Sequence, residues 1–316
     1  KTTMINSYFE LIRSGINTTY QDKGRENLYH IGLPYSGAMD NRNFLIANKL
    51  VNNNLNAPVL EFAYQGPHLK YKGDKISIAI TGDVIFKIIK NGFENIGNCY
   101  ESYQIESGDE IDIISTNKSI YGYLAIGGKI DIKYQWKSCS INTKAKIGSN
   151  NGKKLESNQT IKLLNINFNK DKKKIDYINS KVENIRVIKG TNFNYFSDEG
   201  IKNFFEKKFM VSKLSDRMGM RLQGNKIDNI VNTNIKSEGL IKGVIQVPPD
   251  GNPIIMLSDH GTIGGYPKIG VVASVDYDRL VQIAPGSEIK FTEIQLTDAE
   301  TLFKLYEMET DNLLSQ

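Results

Sequence analysis

The segment 259–270, DHGTIGGYPKIG, combines a carboxylate, an imidazole, a phenol and an ammonium group with four glycines. Glycine lets a ligand approach the backbone closely, but it costs conformational entropy where it only fills space. The polar side chains in and just before this segment are Gln246, Asp259, His260, Thr262, Tyr266 and Lys268. A few polar groups set among apolar strands are typical of a concave small-molecule site. The sequence therefore predicts a binding site around this segment.

A second candidate lies in residues 212–224, SKLSDRMGMRLQG, where Arg217 and Arg221 are four positions apart and Asp216 is adjacent. Two guanidinium groups can bind a carboxylate or a phosphate through paired hydrogen bonds. The alternative is an internal Asp–Arg network that ties a strand to a loop. The residue types alone favour the internal network.

A third candidate is the turn in residues 32–43, GLPYSGAMDNRN, which precedes an expected helix. The N-terminus of a helix can hold an anion, and Ser36 and Gly37 would then be contacts. Asp40 at the N-cap would occupy part of that position itself, so capping is the favoured interpretation. Glu61 falls within an expected strand. If Glu61 points to solvent, no function follows from it. If Glu61 points into a cleft, its carboxylate would be a base or a hydrogen-bond acceptor.

Composition and charge narrow the function classes. The chain has 316 residues, a net charge of +5 and 40% hydrophobic residues, as in soluble globular proteins. Its two Cys and three His show no metal-ligand spacing, so we expect no bound metal in the chain. The basic run 169–181 lacks the alternation of aromatic and basic residues that single-strand binders need, which favours a solvated loop or linker over a nucleic-acid surface.

The sequence has no apolar run of roughly 18 residues and no leader-like N-terminus. We therefore expect a cytoplasmic protein without a membrane partner.

The elements that must position these candidates are mostly strands. Short runs rich in Ile, Val and Tyr and bounded by turn residues predict strands. These runs are 75–82, 84–92, 109–116, 120–128, 243–251, 253–259, 270–276 and 287–294. Many strands with close turns favour barrels or sandwiches over alternating βαβ units.

Few helices are expected. Asp40 can cap a helix over residues 41–51, and Asp198 precedes a second helix over residues 199–209. Thr297 and Glu300 form a capping-box pattern before a C-terminal helix.

Segments 105–113 and 283–291 share one form: an apolar residue, a Gly turn, an acidic residue and then alternating apolar residues. This similarity predicts two related β-rich units with a boundary in the basic run. We expect an N-terminal β-rich subdomain over residues 1–180 and a C-terminal subdomain over residues 181–316.

The candidate segments occur in an order and spacing that resemble the allophanate hydrolase subunit 2 family, also called the biotin-dependent carboxyltransferase-like family. This family includes the C-type subunit of 5-oxoprolinase and the partner of a sporulation kinase inhibitor. The matching stretches lie between about residues 12 and 291 and read GINTTYQDKGR, GLPYSGAMD, ANKLVNN, LEFAYQGPHL, YLAIGGKID, SDRMGMRLQG, IQVPPDGNPIIMLSDHGTIGGYPKIG and LVQIAPGSEIKF. The resemblance implies a mainly β chain with a few helices. It would form two β-barrel-like subdomains with a glycine-lined groove between them, and at least one of them, the C-terminal subdomain, would be cyclophilin-like.

The resemblance also implies partners: a smaller homologous subunit and, for 5-oxoprolinase, a third subunit. We expect a subunit of an ATP-dependent 5-oxoprolinase that opens 5-oxoproline to glutamate, with ATP and Mg²⁺ in the complex. Two alternatives stay open. One is a regulatory binding protein that sequesters a histidine-kinase inhibitor, and the other is a carboxyltransferase-type subunit of urea or allophanate metabolism.

Phosphoryl transfer to a lactam oxygen needs cationic groups and N–H donors around the oxygens. The expected catalytic residues are Asp40, Arg217, Asp259 and Tyr266. The expected substrate- or nucleotide-binding residues are Ser36, Gly37, Glu61, Arg221, Gln246, Thr262, Gly264, Gly265, Pro267 and Lys268.

Overall fold

The computed structural model describes residues 7–178, 180, 182–231 and 233–316, and the chain groups into two compact units. The first unit comprises Lys1–Arg25, Asp40–Asn179 and Asp311–Gln316, and the second comprises Glu26–Met39 and Ser180–Thr310. The grouping therefore departs from a single division at residue 180 in two places. The segment before the first helix belongs to the second unit, and the C-terminal segment belongs to the first.

The first unit consists mainly of two packed sheets and an α-helix. Its elements are β1 (Tyr8–Arg13), β2 (Thr19–Gln21), α1 (Asn41–Leu50), β3 (Val59–Ala63), β4 (His68–Lys72), β5 (Ile76–Thr81), β6 (Val84–Lys90), β7 (Phe93–Ile96), β8 (Ser102–Ile105), β9 (Glu110–Thr116), β10 (Tyr121–Ile126), β11 (Gly128–Ile130) and β12 (Thr160–Ile166). One sheet has the order β11-β12-β1-β4-β9-β6-β7 and the other has the order β2-β3-β10-β5-β8. Phe9 and Phe86 of the larger sheet share one hydrophobic cluster with Phe62 and Ile78 of the smaller sheet. Burial of this shared apolar surface holds the two sheets together.

The second unit contains a closed barrel. Its elements are β13 (Asn184–Lys189), α2 (Asp198–Glu206), β14 (Lys208–Val211), β15 (Gly219–Gln223), β16 (Glu238–Gly239), β17 (Val244–Gln246), β18 (Ile254–Met256), β19 (Ile263–Gly264), β20 (Lys268–Val272), α3 (Ser274–Leu280), β21 (Glu288–Glu293) and α4 (Leu296–Ser315). The residues of α4 from Asp311 onward group with the first unit. The barrel order is β13-β20-β17-β18-β15-β14-β21, and β16 pairs with β19 in a separate ribbon. A parallel pairing of β13 with β21, with Ile185 opposite Phe291, closes the barrel. The prediction of a mainly β chain with a barrel and few helices is confirmed.

Helix α1 begins where its cap was predicted. Asp40 is the N-cap, and its carboxylate accepts the backbone N–H of Asn43. The cap of α2 is Ser197 rather than Asp198, and α2 ends at Glu206 instead of residue 209 because the chain continues into β14.

Two predictions near the C-terminus are wrong. The capping box fails because α4 already begins at Leu296, so that Thr297 lies in its first turn. The segment 270–276 is a strand only as far as Val272, and α3 begins at Ser274. The apolar residues of β20 are followed by Ala273 and by Val275, which is buried in α3, so the sequence does not mark where the strand ends and the helix begins.

The described residues of the basic run 169–181 lie outside the helices and strands, but backbone hydrogen bonds connect the run to β8. The N–H of Ser102 donates to the carbonyl oxygen of Lys173 at 2.8 Å, and the N–H of Lys173 donates to the Ser102 hydroxyl at 2.7 Å. Lys172 and Lys174 are exposed and form ion pairs with Glu101 and Asp176. Residues 179 and 181 of this run lie outside the described part of the chain.

None of the helices in the described residues combines the length and the apolar character needed to cross a bilayer.

Candidate functional site

In the second unit, Arg217 and Asp259 form a nearly buried ion pair. The Arg217 Nε donates to Asp259 Oδ2 at 2.8 Å, and Nη2 donates to Oδ1 at 3.2 Å. The side chains are 16% and 3% exposed. A backbone bond adds to this link, since the N–H of Asp259 donates to the carbonyl oxygen of Arg217 at 2.9 Å. The internal Asp–Arg network considered from the sequence is present, with Asp259 as the acid that holds Arg217.

The turn before β15 fixes where Arg217 lies. The Asp216 carboxylate accepts the backbone N–H groups of Met218 and Gly219, as in an Asx turn. Asp216 therefore shapes the turn that presents Arg217 to Asp259. Arg221 differs from Arg217 because it is exposed on β15, where its backbone bonds to Ser212 and Ser215.

The segment Glu26–Met39, which we call the strap, contacts this pair. The Arg217 Nη2 donates to the carbonyl oxygen of Gly37 at 2.7 Å. The N–H of Ser36 donates to the carbonyl oxygen of Ser258 at 3.0 Å. Ser36 and Gly37 both adopt positive φ, 56° and 80°, a conformation that glycine tolerates best. The structure thus brings the Gly37 carbonyl oxygen to Arg217 and the Ser36 N–H to Ser258, which precedes Asp259 in the chain.

His260 forms a third contact with the strap. Its Nδ1 lies 2.6 Å from the carbonyl oxygen of Gly261, and its Nε2 lies 3.1 Å from the Tyr29 hydroxyl. A carbonyl oxygen can only accept, so Nδ1 carries the proton and the Tyr29 hydroxyl donates to Nε2 in the neutral ring. Burial lowers the pKa of His260 and raises the pKa of Tyr29. The imidazole is therefore held neutral in one tautomer.

The rest of the glycine-rich segment forms a second group around the β16–β19 ribbon. The Lys268 ammonium pairs with the Glu238 carboxylate, which lowers the pKa of Glu238. The side-chain amide of Gln246 donates to the carbonyl oxygen of Tyr266 at 3.1 Å. A Cβ at Gly264 would lie 2.6 Å from the Gln246 Nε2, so this position requires glycine or a shift of the amide. Glu238 is a member of this group that the sequence did not single out.

Backbone bonds hold the remaining predicted residues of this group. The carbonyl oxygens of Thr262, Gly265 and Pro267 accept N–H groups from Leu240, Ile235 and Val247. The ring of Tyr266 is 37% exposed. In this arrangement Thr262, Gly265 and Pro267 form the backbone frame, and Tyr266 supplies an accessible side chain.

Asp40 and Glu61 lie in the first unit, where both are only 2% exposed. Besides capping α1, Asp40 accepts the Asn43 side-chain amide at Oδ2, at 2.6 Å. Glu61 lies on β3, directly opposite Tyr123 of β10. The Tyr123 hydroxyl bonds to Glu61 and also accepts the backbone N–H of Asp40 at 2.8 Å. The structure therefore joins the Glu61 carboxylate to the backbone of Asp40 through a tyrosine that the sequence did not single out.

Burial, followed by the nearby charges of Glu61 and Asp40, raises the pKa of Tyr123 well above its usual value. The hydroxyl therefore keeps its proton. No local signal in the sequence identifies Tyr123, because its register against Glu61 depends on pairing of strands that are about sixty residues apart.

Two cavities lie in the first unit away from the predicted residues. One, of about 250 Å³, is lined by Lys49, Leu50, Lys172, Lys173, Lys174, Ile175 and Gln316. The other, of about 560 Å³, is lined by Ser7, Tyr8, Glu10, Asp131, Thr160, Lys162, Leu163 and Leu164. Neither lining includes a predicted site residue. Across the described residues, no three His, Cys, Asp or Glu side chains are grouped closely enough to hold a metal ion.

Residues 31–293 match the family described as carboxyltransferase domain, subdomain A and B. The chain belongs to this carboxyltransferase domain family. Its sequence is 30% identical over 297 residues to the C-type subunit of 5-oxoprolinase from Escherichia coli, and the match covers 92% of each chain. It is 29% identical over 295 residues to the corresponding 5-oxoprolinase subunit of Haemophilus influenzae, covering 93% of this chain and 94% of the relative. The expected family resemblance is confirmed.

The carboxyltransferase domain fold also occurs within a much longer solved structure. The urea amidolyase of Kluyveromyces lactis matches with a TM-score of 0.89 at 26% identity, covering 99% of this chain and 20% of that chain. This chain thus spans about a fifth of the urea amidolyase and nearly the whole length of the two 5-oxoprolinase relatives.

Proposed function

We propose that this chain is a subunit of an ATP-dependent 5-oxoprolinase that works with a smaller homologous subunit and a third subunit. The observation that carries the proposal is the nearly full-length match to two proteins named as subunits of 5-oxoprolinase. Their names also support a multi-subunit complex.

The proposed reaction opens a lactam at the expense of ATP. The lactam oxygen takes the γ-phosphoryl group and ADP leaves. Water then adds to the ring carbon and the C–N bond breaks, which leaves an acyl phosphate. A second water releases inorganic phosphate and glutamate. Each step develops negative charge on oxygen, which fixed cations and N–H donors stabilise.

The second unit supplies cations for this role. Arg217 is held by Asp259 and by the strap, so its guanidinium has a fixed orientation before any substrate binds. We assign Asp259 the task of orienting Arg217. Lys268, Arg221 and the backbone at Gly264 and Gly265 are the further groups proposed to contact phosphoryl or substrate oxygens.

In the first unit we assign the water-orienting role to the carboxylates of Asp40 and Glu61. Both are nearly inaccessible and both are hydrogen-bonded. Burial of a carboxylate destabilises the folded state unless the group is hydrogen-bonded, and perturbed ionisable groups are enriched at functional sites.

The test is reconstitution. The chain is co-purified with its smaller homologous subunit and third subunit, and glutamate and ADP are measured with 5-oxoproline and ATP. We expect glutamate only when all subunits and ATP are present. Arg217→Ala is expected to lower turnover about 100-fold, the usual effect of losing one charge-stabilising donor. Lys208→Ala removes a cation from an exposed ion pair with Glu288 and is the matched control. A folded complex that releases no glutamate contradicts the proposal.

A second candidate is carboxyl transfer, which the match to urea amidolyase favours. The same purified subunits are offered a biotin carrier loaded with isotopically labelled carboxyl groups, together with urea. Transfer of label to urea, without glutamate in the first assay, would favour this candidate.

A further inference from the structure

The face of the five-stranded sheet that points away from the seven-stranded sheet carries a row of polar residues, Thr19, Glu61, Tyr123 and Thr81, one from each of four neighbouring strands. The register places Thr19 opposite Glu61, Glu61 opposite Tyr123 and Tyr123 opposite Thr81. Directly opposite residues share one face of a sheet. All four are at most 3% exposed. A buried sheet face is usually apolar, so a continuous polar row needs an explanation.

The direction of the hydrogen bonds at Tyr123 can be derived. The backbone N–H of Asp40 can only donate, so the Tyr123 oxygen is the acceptor at 2.8 Å. The proton of the Tyr123 hydroxyl is then available for its other partner, the Glu61 carboxylate. One hydroxyl thus accepts from the start of α1 and donates to the acid on β3.

Two more hydroxyl groups, one of them in the same row, hold the first turn of α1 in place. The Thr81 hydroxyl donates to the carbonyl oxygen of Asn43 at 2.8 Å, and the Tyr100 hydroxyl donates to the Asn43 side-chain oxygen at 2.8 Å. The Asn43 amide in turn donates to Asp40. Asp40 can therefore move only if this network rearranges.

We propose that Tyr123 is a positioning residue, whose hydroxyl holds the Glu61 carboxylate in a fixed place relative to Asp40 at the start of α1. This inference rests on the proposed function for its catalytic meaning, but the positioning itself is a property of the chain alone. Tyr123 acts through Glu61 and Asp40.

The experiment has a structural part and a kinetic part. Tyr123→Phe removes the hydroxyl and keeps the ring, and Tyr71→Phe is the matched control. Tyr71 is also fully buried in the first unit, and its hydroxyl donates to the carbonyl oxygen of Asp74. Thermal melting establishes that both variants fold.

In the structural part, NMR on the chain alone follows hydrogen exchange of the Asp40 amide and the carboxyl carbon resonance of Glu61 at fixed pH. We expect Tyr123→Phe to speed the exchange at least tenfold and to shift the Glu61 resonance, because the Asp40 amide and the Glu61 carboxylate both lose their hydrogen bond to the Tyr123 hydroxyl. Tyr71→Phe should change neither. Unchanged exchange and an unchanged resonance in Tyr123→Phe would overturn the inference, and this result does not depend on turnover.

In the kinetic part, the complete complex is assayed. Tyr123→Phe is expected to lower kcat at least tenfold with little change in KM. Glu61→Gln should lower kcat more, and the double variant should match Glu61→Gln alone, since a positioning residue has no effect once its target is lost. Additive losses contradict the inference. A wild-type complex without turnover refutes the proposed function, and the NMR result then decides the positioning role separately.

Discussion

The guanidinium of Arg217 makes two hydrogen bonds to the carboxylate of Asp259, which lies 42 positions later in the chain. The Asp259 side chain is 3% exposed. An amide at this position would therefore leave the nearly buried Arg217 guanidinium with a neutral partner. Removing one partner of a buried ion pair destabilises a protein by far more than the intact pair stabilises it, because the remaining charge is left buried and uncompensated.

We therefore expect Asp259→Asn to lower the free energy of unfolding by about 3 kcal/mol. Glu288→Gln, in the exposed pair with Lys208, changes the same acid to its amide and should cost less than about 1 kcal/mol. Urea denaturation followed by circular dichroism measures both. Equal losses in the two variants would show that Asp259 does not hold Arg217.

Substitutions at Asp40 separate its capping role from a catalytic one. Asp40→Ala should lower the free energy of unfolding by about 1 kcal/mol, since the N–H of Asn43 loses its acceptor. Asp40→Ser keeps an N-cap oxygen and should recover most of that loss. If Asp40 acts in turnover, the Ser variant stays inactive despite its recovered stability. An active Asp40→Ser complex limits Asp40 to capping.

His260 should give the chain a pH-dependent stability. Burial holds the pKa of His260 below its ordinary value of 6.5, so the folded chain binds this proton more weakly than the unfolded chain. The stabilisation is complete above about pH 6.5 and is lost as the pH falls towards the folded-state pKa. Urea denaturation at pH 7.5 and pH 5.0 should show the loss, and His260→Gln should reduce it. His30→Gln, at an exposed position on the strap, is the control and should retain it.

The two thiols should be unreactive in the folded chain. Burial raises the pKa of Cys99 to about 11 and the pKa of Cys139 well above its usual range. Because the thiolate is the reactive form, iodoacetamide at pH 8 should label neither until the chain is unfolded in guanidinium. Mass spectrometry of Cys99→Ala isolates Cys139, and rapid labelling of that variant under native conditions would contradict the expectation.

Local features of the sequence predicted local structure well. Asp40 in front of an apolar-periodic segment gave the start of α1, and the Ile- and Val-rich runs correspond to β5, β6, β9 and β10. The short helix α3 was missed because seven residues are too few to distinguish helical from strand periodicity.

The candidate site depends on contacts that no local pattern contains. Gly37 meets Arg217 across 180 positions, and Tyr123 meets Glu61 only through strand register. Motif chemistry selected Arg217, Asp259 and Glu61 by residue type. It could not select Tyr29, the partner of His260, or Tyr123, the partner of Glu61, because tyrosine is common in any β-rich core.

The strap has a consequence for how this protein can be divided. A recombinant fragment that starts at residue 180 would retain the barrel strands but lack the Gly37 carbonyl and the Ser36 amide that meet Arg217 and Ser258. Truncation at residue 180 would therefore separate the barrel from the strap. A synthetic 14-residue peptide spanning residues 26–39 would restore the missing contacts in trans.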